Sequence, residues 1–228
     1  MIYLCGRCGA VLEERKTDRT CDYCGAVESA DLVCPHGHYS CEACRLADFP
    51  TLMERSLPRL GNDPYKEAML IMSHPATGMF GTNHHSIPAL LILSAMRRWG
   101  GVELPDARIL SIARRAGEIP PGSCYMRGDC GACISAGMAA STICNVDIMS
   151  IERSYVLSTV AAGLHRLAEA GGVRCCKEAV FASLDAFFDV MGKPFPIAAS
   201  FVRSDPLVCV FSKKNPECKG QSCPYYPK

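Results

Sequence analysis

The sequence lacks an excess of charge of either sign: 24 Lys and Arg stand against 23 Asp and Glu in 228 residues, a net +1. A chain so balanced has no global field with which to gather nucleic acid or an anionic membrane. It also lacks a long hydrophobic run. Its most apolar stretch, Ile87 to Met96, is broken by Ser94 and falls far short of the roughly 18 to 20 residues that span a bilayer. The opening MIYLCGRCGA has no basic stretch followed by an apolar one, so a cytoplasmic location is expected. Internal repeats and low-complexity tracts are absent as well. With 21% charged and 49% hydrophobic residues the composition is that of a globular chain, and the length suits one compact domain with a small appendage.

What the sequence has in abundance is cysteine, 16 residues of it. In a reducing compartment so many thiols serve metals or chemistry rather than disulfides. Seven lie in the first 44 residues and nine in the remaining 184, which places a boundary near Phe49 and Pro50. Residues 1–48 read as a metal-binding, zinc-ribbon-like segment and 49–228 as an α-helical, cysteine-rich body with a C-terminal tail. Up to Asp48 there are five basic and eight acidic residues, a net of −3. That charge, with no basic-aromatic stripe, disfavours nucleic acid as a partner.

Cys5-x2-Cys8 and Cys21-x2-Cys24 form two knuckles, each followed by a glycine, Gly9 and Gly25. Glycine there supplies the positive φ that turns backbone N–H groups toward thiolate sulfur. Four thiolates in two pairs suit a tetrahedral structural zinc, and a segment of about 24 residues cannot fold on its own core. Iron would use the same ligands. A second set follows at once: Cys34, His38, Cys41 and Cys44, with His36 as a spare. The expected arrangement is sequential, one metal on the first four cysteines and one on the second set. Interleaved pairs, as in a RING finger, are the alternative.

From Pro50 the chain reads as helices divided by Gly and Pro, a mainly α bundle. Asp63-Pro64 caps a helix to about Ser73, and Ser86 and Pro88 open another that ends at Gly100-Gly101. Further helices are expected over Leu110 to Ala116, Ile151 to Ala170 and Cys176 to Met191. The last 35 residues read as an irregular tail with a short strand near Leu207 to Phe211.

The stretch GSCYMRGDCGACISAGMAASTIC carries Cys124, Cys130, Cys133 and Cys144 among glycine, alanine and serine, which permit close approach of a helix or an inorganic cluster. Buried inert cysteine is the plainer reading for Cys144. Cys124, Cys130 and Cys133 are taken as ligands, joined by Cys209, Cys218 and Cys223 of the tail, where Cys223-Pro224 matches the Cys-Pro of ferredoxin motifs. Cys175-Cys176 sits where a helix begins, a place that lowers a thiol pKa and marks a candidate nucleophile. His84 and His85, in GMFGTNHHS, are candidate proton carriers. His165, alone in mid-helix, reads as packing or surface.

CPHGHYSCEAC (Cys34 to Cys44), NHHSIPALL (Asn83 to Leu91), PPGSCYMRGDCGAC (Pro120 to Cys133), RCCK (Arg174 to Lys177) and CVFSKKNPECKGQSCPYYP (Cys209 to Pro227) together resemble the family called domain of unknown function 5714. The resemblance covers about residues 33 to 228, leaving the first knuckles as an addition. It implies an anaerobic, oxygen-sensitive metal or sulfur setting and names no reaction. Two functions are therefore expected in competition. One is an iron–sulfur protein of electron or sulfur transfer, serving a redox or sulfur-transfer partner beside an oxygen-sensitive enzyme system. The other is a zinc-binding adaptor without catalysis, whose cysteines brace a bundle of small residues.

Overall fold

A computed structural model describes residues 2–205 and 207–227. Two strands open the chain, β1 (Glu13–Thr20) and β2 (Val27–Val33), paired antiparallel with an irregularity between Glu14 and Thr17. The Cys21–Cys24 knuckle is the turn between them: Gly25, at φ 80°, donates to Cys21 O at 3.0 Å, and Cys21 N reaches Ala26 O at 2.8 Å. Ten helices follow. They are α1 (Glu42–Arg45), α2 (Phe49–Ser56), α3 (Pro64–Ser73), α4 (Asn83–Trp99), α5 (Asp106–Gly117), α6 (Ser123–Met126), α7 (Gly131–Ile143), α8 (Arg153–Ala170), α9 (Cys176–Met191) and α10 (Pro196–Ala199). The body is the helical bundle expected, with a knuckled segment before it and a cysteine-rich tail after it.

Helix α4 runs through the middle of the bundle, buried from Ser86 to Met96, and packs on α5, α7 and α9. Pro88 leaves a gap in its hydrogen-bond ladder, and the neighbouring Ala89 N–H is satisfied from outside, by Ser135 Oγ of α7 at 2.9 Å. The small residues of α7 let its partners close in. A Cβ on Gly137 would stand 2.4 Å from Val160 Cγ2, so α8 lies almost on the α7 backbone at that point. Aromatic residues of α9, Phe181, Phe187 and Phe188, fill the space that the small residues leave.

At the turn before α3, Gly61 has φ 104° and its N–H reaches both oxygens of Glu67, at 3.0 and 2.9 Å. A Cβ there would meet Ser94 O of α4 at 2.5 Å. Gly61→Ala combines backbone strain with a clash against main chain, and should cost about 2 to 3 kcal/mol. Thermal unfolding is the check, with a midpoint lowered by roughly 5 to 10 °C.

The tail is irregular, but residues 207–211 carry no strand among the described residues, only irregular chain leading into a turn at 210. Leu207, Phe211 and Tyr225 bury their side chains in the body. Tyr225 Oη donates to Asp185 Oδ2 at 2.6 Å, while Tyr65 Oη of α3 donates to the other oxygen at 2.7 Å. Cys209 N returns to Tyr225 O at 2.7 Å and closes the tail on itself. It is therefore anchored by side chains other than cysteine as well.

Candidate metal centres and a thiol pocket

The N-terminal ligands form two tight groups, Cys5, Cys8, Cys34 and His38 in one and Cys21, Cys24, Cys41 and Cys44 in the other, each with its donor atoms within 4.8 Å of one another. Cys8 Sγ lies 3.6 Å from Cys34 Sγ, Cys34 Sγ 3.7 Å from His38 Nδ1, and Cys24 Sγ 3.7 Å from Cys41 Sγ. Tetrahedral ligands about 2.3 Å from a metal lie about 3.8 Å apart, so each group could hold a metal ion. The sequential arrangement expected from the sequence is overturned: the pairs interleave.

The strands explain why. Eight residues of β1 carry the chain some 26 Å from the first knuckle to the second. β2 then brings it back, with Val33 paired to Glu13, and delivers Cys34 to the first knuckle. The chain crosses once more, held by Asp22 N to Tyr39 O at 2.9 Å, and sets Cys41 and Cys44 beside the second. His36 Nδ1 stands 3.4 Å from Cys8 Sγ and lies outside the group of four.

The two groups differ in setting. Cys21, Cys41 and Cys44 are wholly buried and continuous with the body core through Tyr23, Phe49 and Leu52, whereas Cys8 is exposed. Arg55 of α2 aims Nε at Cys44 Sγ, 3.2 Å away, and Nη2 at Cys24 Sγ, 3.8 Å away. Four thiolates around a divalent ion leave a net charge of −2, which this guanidinium offsets. Partners of that kind hold ligands in place, so Arg55→Met should weaken metal retention at this group about 10- to 100-fold. Competition with a chromophoric chelator measures it, and the group around Cys34 should release its metal as before.

In the body, Cys175, Cys209, Cys218 and Cys223 line one pocket, together with Lys177, Lys219, Phe211, Asn215 and Tyr225. Asn215 Nδ2 stands 3.7 Å from Cys175 Sγ, and the Phe211 N–H donates to Cys209 Sγ at 3.4 Å. Burial raises the Cys209 pKa, and it pushes Cys223 up to about 11. One positive charge is built into the wall. Lys177 is 1% exposed, with Nζ 3.2 Å from Gly78 O, Met79 O and His84 Nε2, and 4.7 Å from the Phe211 ring. Lys219 pairs with buried Glu178 at 2.8 Å.

Cysteines 175 and 176 part company here. Cys175 is the N-cap of α9, in extended conformation, and turns to the tail thiols; Cys176, the first helical residue, lies on the side of Cys130. Two of the site expectations need correction. Cys124, Cys130 and Cys133 do not join the tail cysteines in this pocket, because α7 presents its thiols to α8 and α9 and Cys124 is exposed on α6. His84, expected as a proton carrier, is buried against Lys177 instead. Burial first and the Lys177 charge second hold its pKa down at about 3, and it serves as the neutral acceptor for the buried ammonium. His85 does lie against the α7 turn, where a Gly131 Cβ would meet its ring at 2.4 Å. Cys144 caps α7, half-buried, and His165 is on the surface beside Glu169.

Sequence reasoning missed Lys177. A signal existed, since a cation in the first turn of a helix opposes the macrodipole and calls for some other reason to be there. A family model described as a family of unknown function (DUF5714) matches residues 56–226. The match begins beyond Cys44, so the stretch from residue 33 that the resemblance included, and both N-terminal groups, lie outside it. No curated protein and no solved structure matches the chain.

Proposed function

The chain belongs to the DUF5714 family, and we propose that it is an iron–sulfur protein of electron or sulfur transfer, with structural zinc in its N-terminal segment. The ligands of the cluster are Cys175, Cys209, Cys218 and Cys223. The observation that carries this reading is a contrast in spacing. The two N-terminal groups are tight enough for single ions, but among the described residues no three of the four pocket thiols come that close together. Ligands spread around a common hollow suit a body of several atoms, whose sulfurs and irons keep the thiolates apart.

The wall supports the same reading. Four thiolates are costly to bury together, and Lys177 stands in the same wall: burial lowers its pKa, while the charges of Cys175, Cys176 and Cys209 oppose that and favour its ammonium form. Donors aimed at sulfur, the Phe211 N–H and the Asn215 amide, are the groups that set the potential of such a centre. Among the described residues, no helix is long and apolar enough to cross a membrane. The cluster would supply reversible one-electron transfer or a sulfide-binding iron, and the chain's own residues hold and shield it. A cytoplasmic redox or sulfur-transfer protein is the partner this implies.

Protein purified without oxygen decides the matter by metal and acid-labile sulfide analysis. The expected result is broad absorption near 400 nm, with iron and sulfide in equal amounts beside about two zinc ions. Zinc alone, with no sulfide, would reject the cluster and favour the adaptor.

A further inference from the structure

The thiols on α7 are outside the pocket and have no part in the function proposed above. Cys130 is the N-cap of α7 and Cys133 completes its first turn, a Cys-Gly-Ala-Cys sequence wrapped around a helix start. The two differ in access. Cys130 is 9% exposed, while Cys133 is fully buried, with Ser183 Oγ 3.6 Å from its sulfur and α8 so close that a Cβ on Gly163 would stand 3.0 Å from it. Against the same turn lies the His85 ring. Its Nδ1 is buried and has no hydrogen-bond partner among the described residues, and it stands 2.4 Å from where a Gly131 Cβ would be. Burial lowers the pKa of this ring. Only glycine at 131 lets the imidazole approach so closely.

We propose that Cys130 and Cys133 form a redox-active dithiol that exchanges with a disulfide substrate, Cys130 attacking, Cys133 resolving and His85 accepting the proton.

A thiol at a helix start with an edge of its surface exposed, a fully buried one a turn further on and an imidazole against the glycine between them are what stepwise exchange needs. The hydrogen bond from Cys133, with the N–H groups of Cys133 and Ala132, lowers the Cys130 pKa to about 7, whereas Cys133 is pushed up by its neighbour and by burial. In the first step the Cys130 thiolate attacks one sulfur of R–S–S–R. The S–S bond breaks, a Cys130–S–S–R bond forms and RS⁻ departs. In the second, Cys133 gives its proton to His85 and attacks the Cys130 sulfur, expelling the other RS⁻. The two protons lost by the protein end on two RSH, and the dithiol has been oxidised by two electrons as the substrate is reduced by two. An external thiol in excess runs the exchange backward and resets the pair. This inference does not depend on a cluster in the neighbouring pocket.

The test uses the full-length protein, reduced, desalted without oxygen and exposed to glutathione disulfide or, separately, to insulin as a protein disulfide. Trapped thiols are then read by peptide mass spectrometry. A Cys130–Cys133 disulfide is expected, with Cys144 on the same tryptic peptide remaining free. Cys133→Ser should stop at a stable mixed disulfide on Cys130, and Cys130→Ser should abolish reaction at both positions. His85→Gln should slow exchange about 100-fold without shifting the equilibrium against the glutathione couple. Reaction with one oxidant and not the other tells a small substrate from a protein one, and either supports the proposal. Cys130 and Cys133 left unmodified by both, or a Cys133→Ser protein that traps nothing, would overturn it. Iron or zinc lost on substitution of this pair, with the four pocket cysteines intact, would also overturn it, as the pair would then be ligands. Iron and sulfide analysis of the same samples reports on the pocket separately.

Discussion

Cys218→Ser should leave the protein folded, zinc-loaded and without iron or sulfide. Cys218 comes from the far part of the tail and meets Cys175, Cys209 and Cys223 only because the tail folds over the start of α9. A serine hydroxyl is a far weaker ligand than thiolate for a soft metal, so three remaining thiolates should retain little of the cluster. Cys209→Ser and Cys175→Ser should behave alike, while Cys124→Ser, on the exposed α6, should keep full iron and sulfide. The point substitutions are cleaner than removing the tail. A chain ending at Val208 would lose three of the four thiols, but it would also lose Phe211 and the Tyr225 hydroxyl bond to Asp185. Full iron and sulfide in Cys218→Ser, or their loss in Cys124→Ser, would return the ligand assignment to the α6–α7 cysteines.

Much of the body was legible because its signals are local. Asp63 caps α3 through Tyr65 N and Lys66 N, both at 3.1 Å, just as Asp-Pro promised, and the glycine pairs after α4 and α8 stop those helices where the periodicity does. The N-terminal ligand types were legible for the same reason, since each pair is held by its own knuckle. Their partners were not. Which knuckle receives Cys34 is decided by the antiparallel return of β2, and β1 and β2, rich in charged residues and mostly exposed, gave no alternating pattern from which to expect a hairpin. The tail illustrates the same limit. Counting cysteines grouped Cys209, Cys218 and Cys223 in the tail, but that Cys175 lines the same pocket is decided by its extended backbone, which sends it away from Cys176. Nor could sequence foresee that His84 would be spent on Lys177, a contact between α4 and α9 across 93 positions of chain.

Cys44→Ser and Cys8→Ser should have very unequal consequences, although each removes one thiolate from a four-ligand group. Structural zinc contributes on the order of 10 to 16 kcal/mol at neutral pH to segments that have no other core, so either change should release its own metal. The group around Cys8 has an exposed sulfur and braces only the first knuckle and the loop carrying His38. Its loss should open residues 2–12 to proteases and lower the thermal midpoint of the helices by no more than about 2 °C. Cys44 is different. Its carbonyl accepts from His74 Nε2 at 2.9 Å, its sulfur faces Arg55, and Tyr23 beside it packs edge-on against His74 with centroids 5.1 Å apart. Releasing this metal leaves Arg55 without its counter-charge and uncovers Phe49, Leu52 and Met53 of α2. A loss of about 3 to 5 kcal/mol follows from such mechanisms together, which for a chain of this size lowers the midpoint by roughly 10 °C. Circular dichroism at the helix band during heating, with zinc measured on the same samples, makes the comparison. Equal shifts in the two variants would mean that the second group is not part of the body's core.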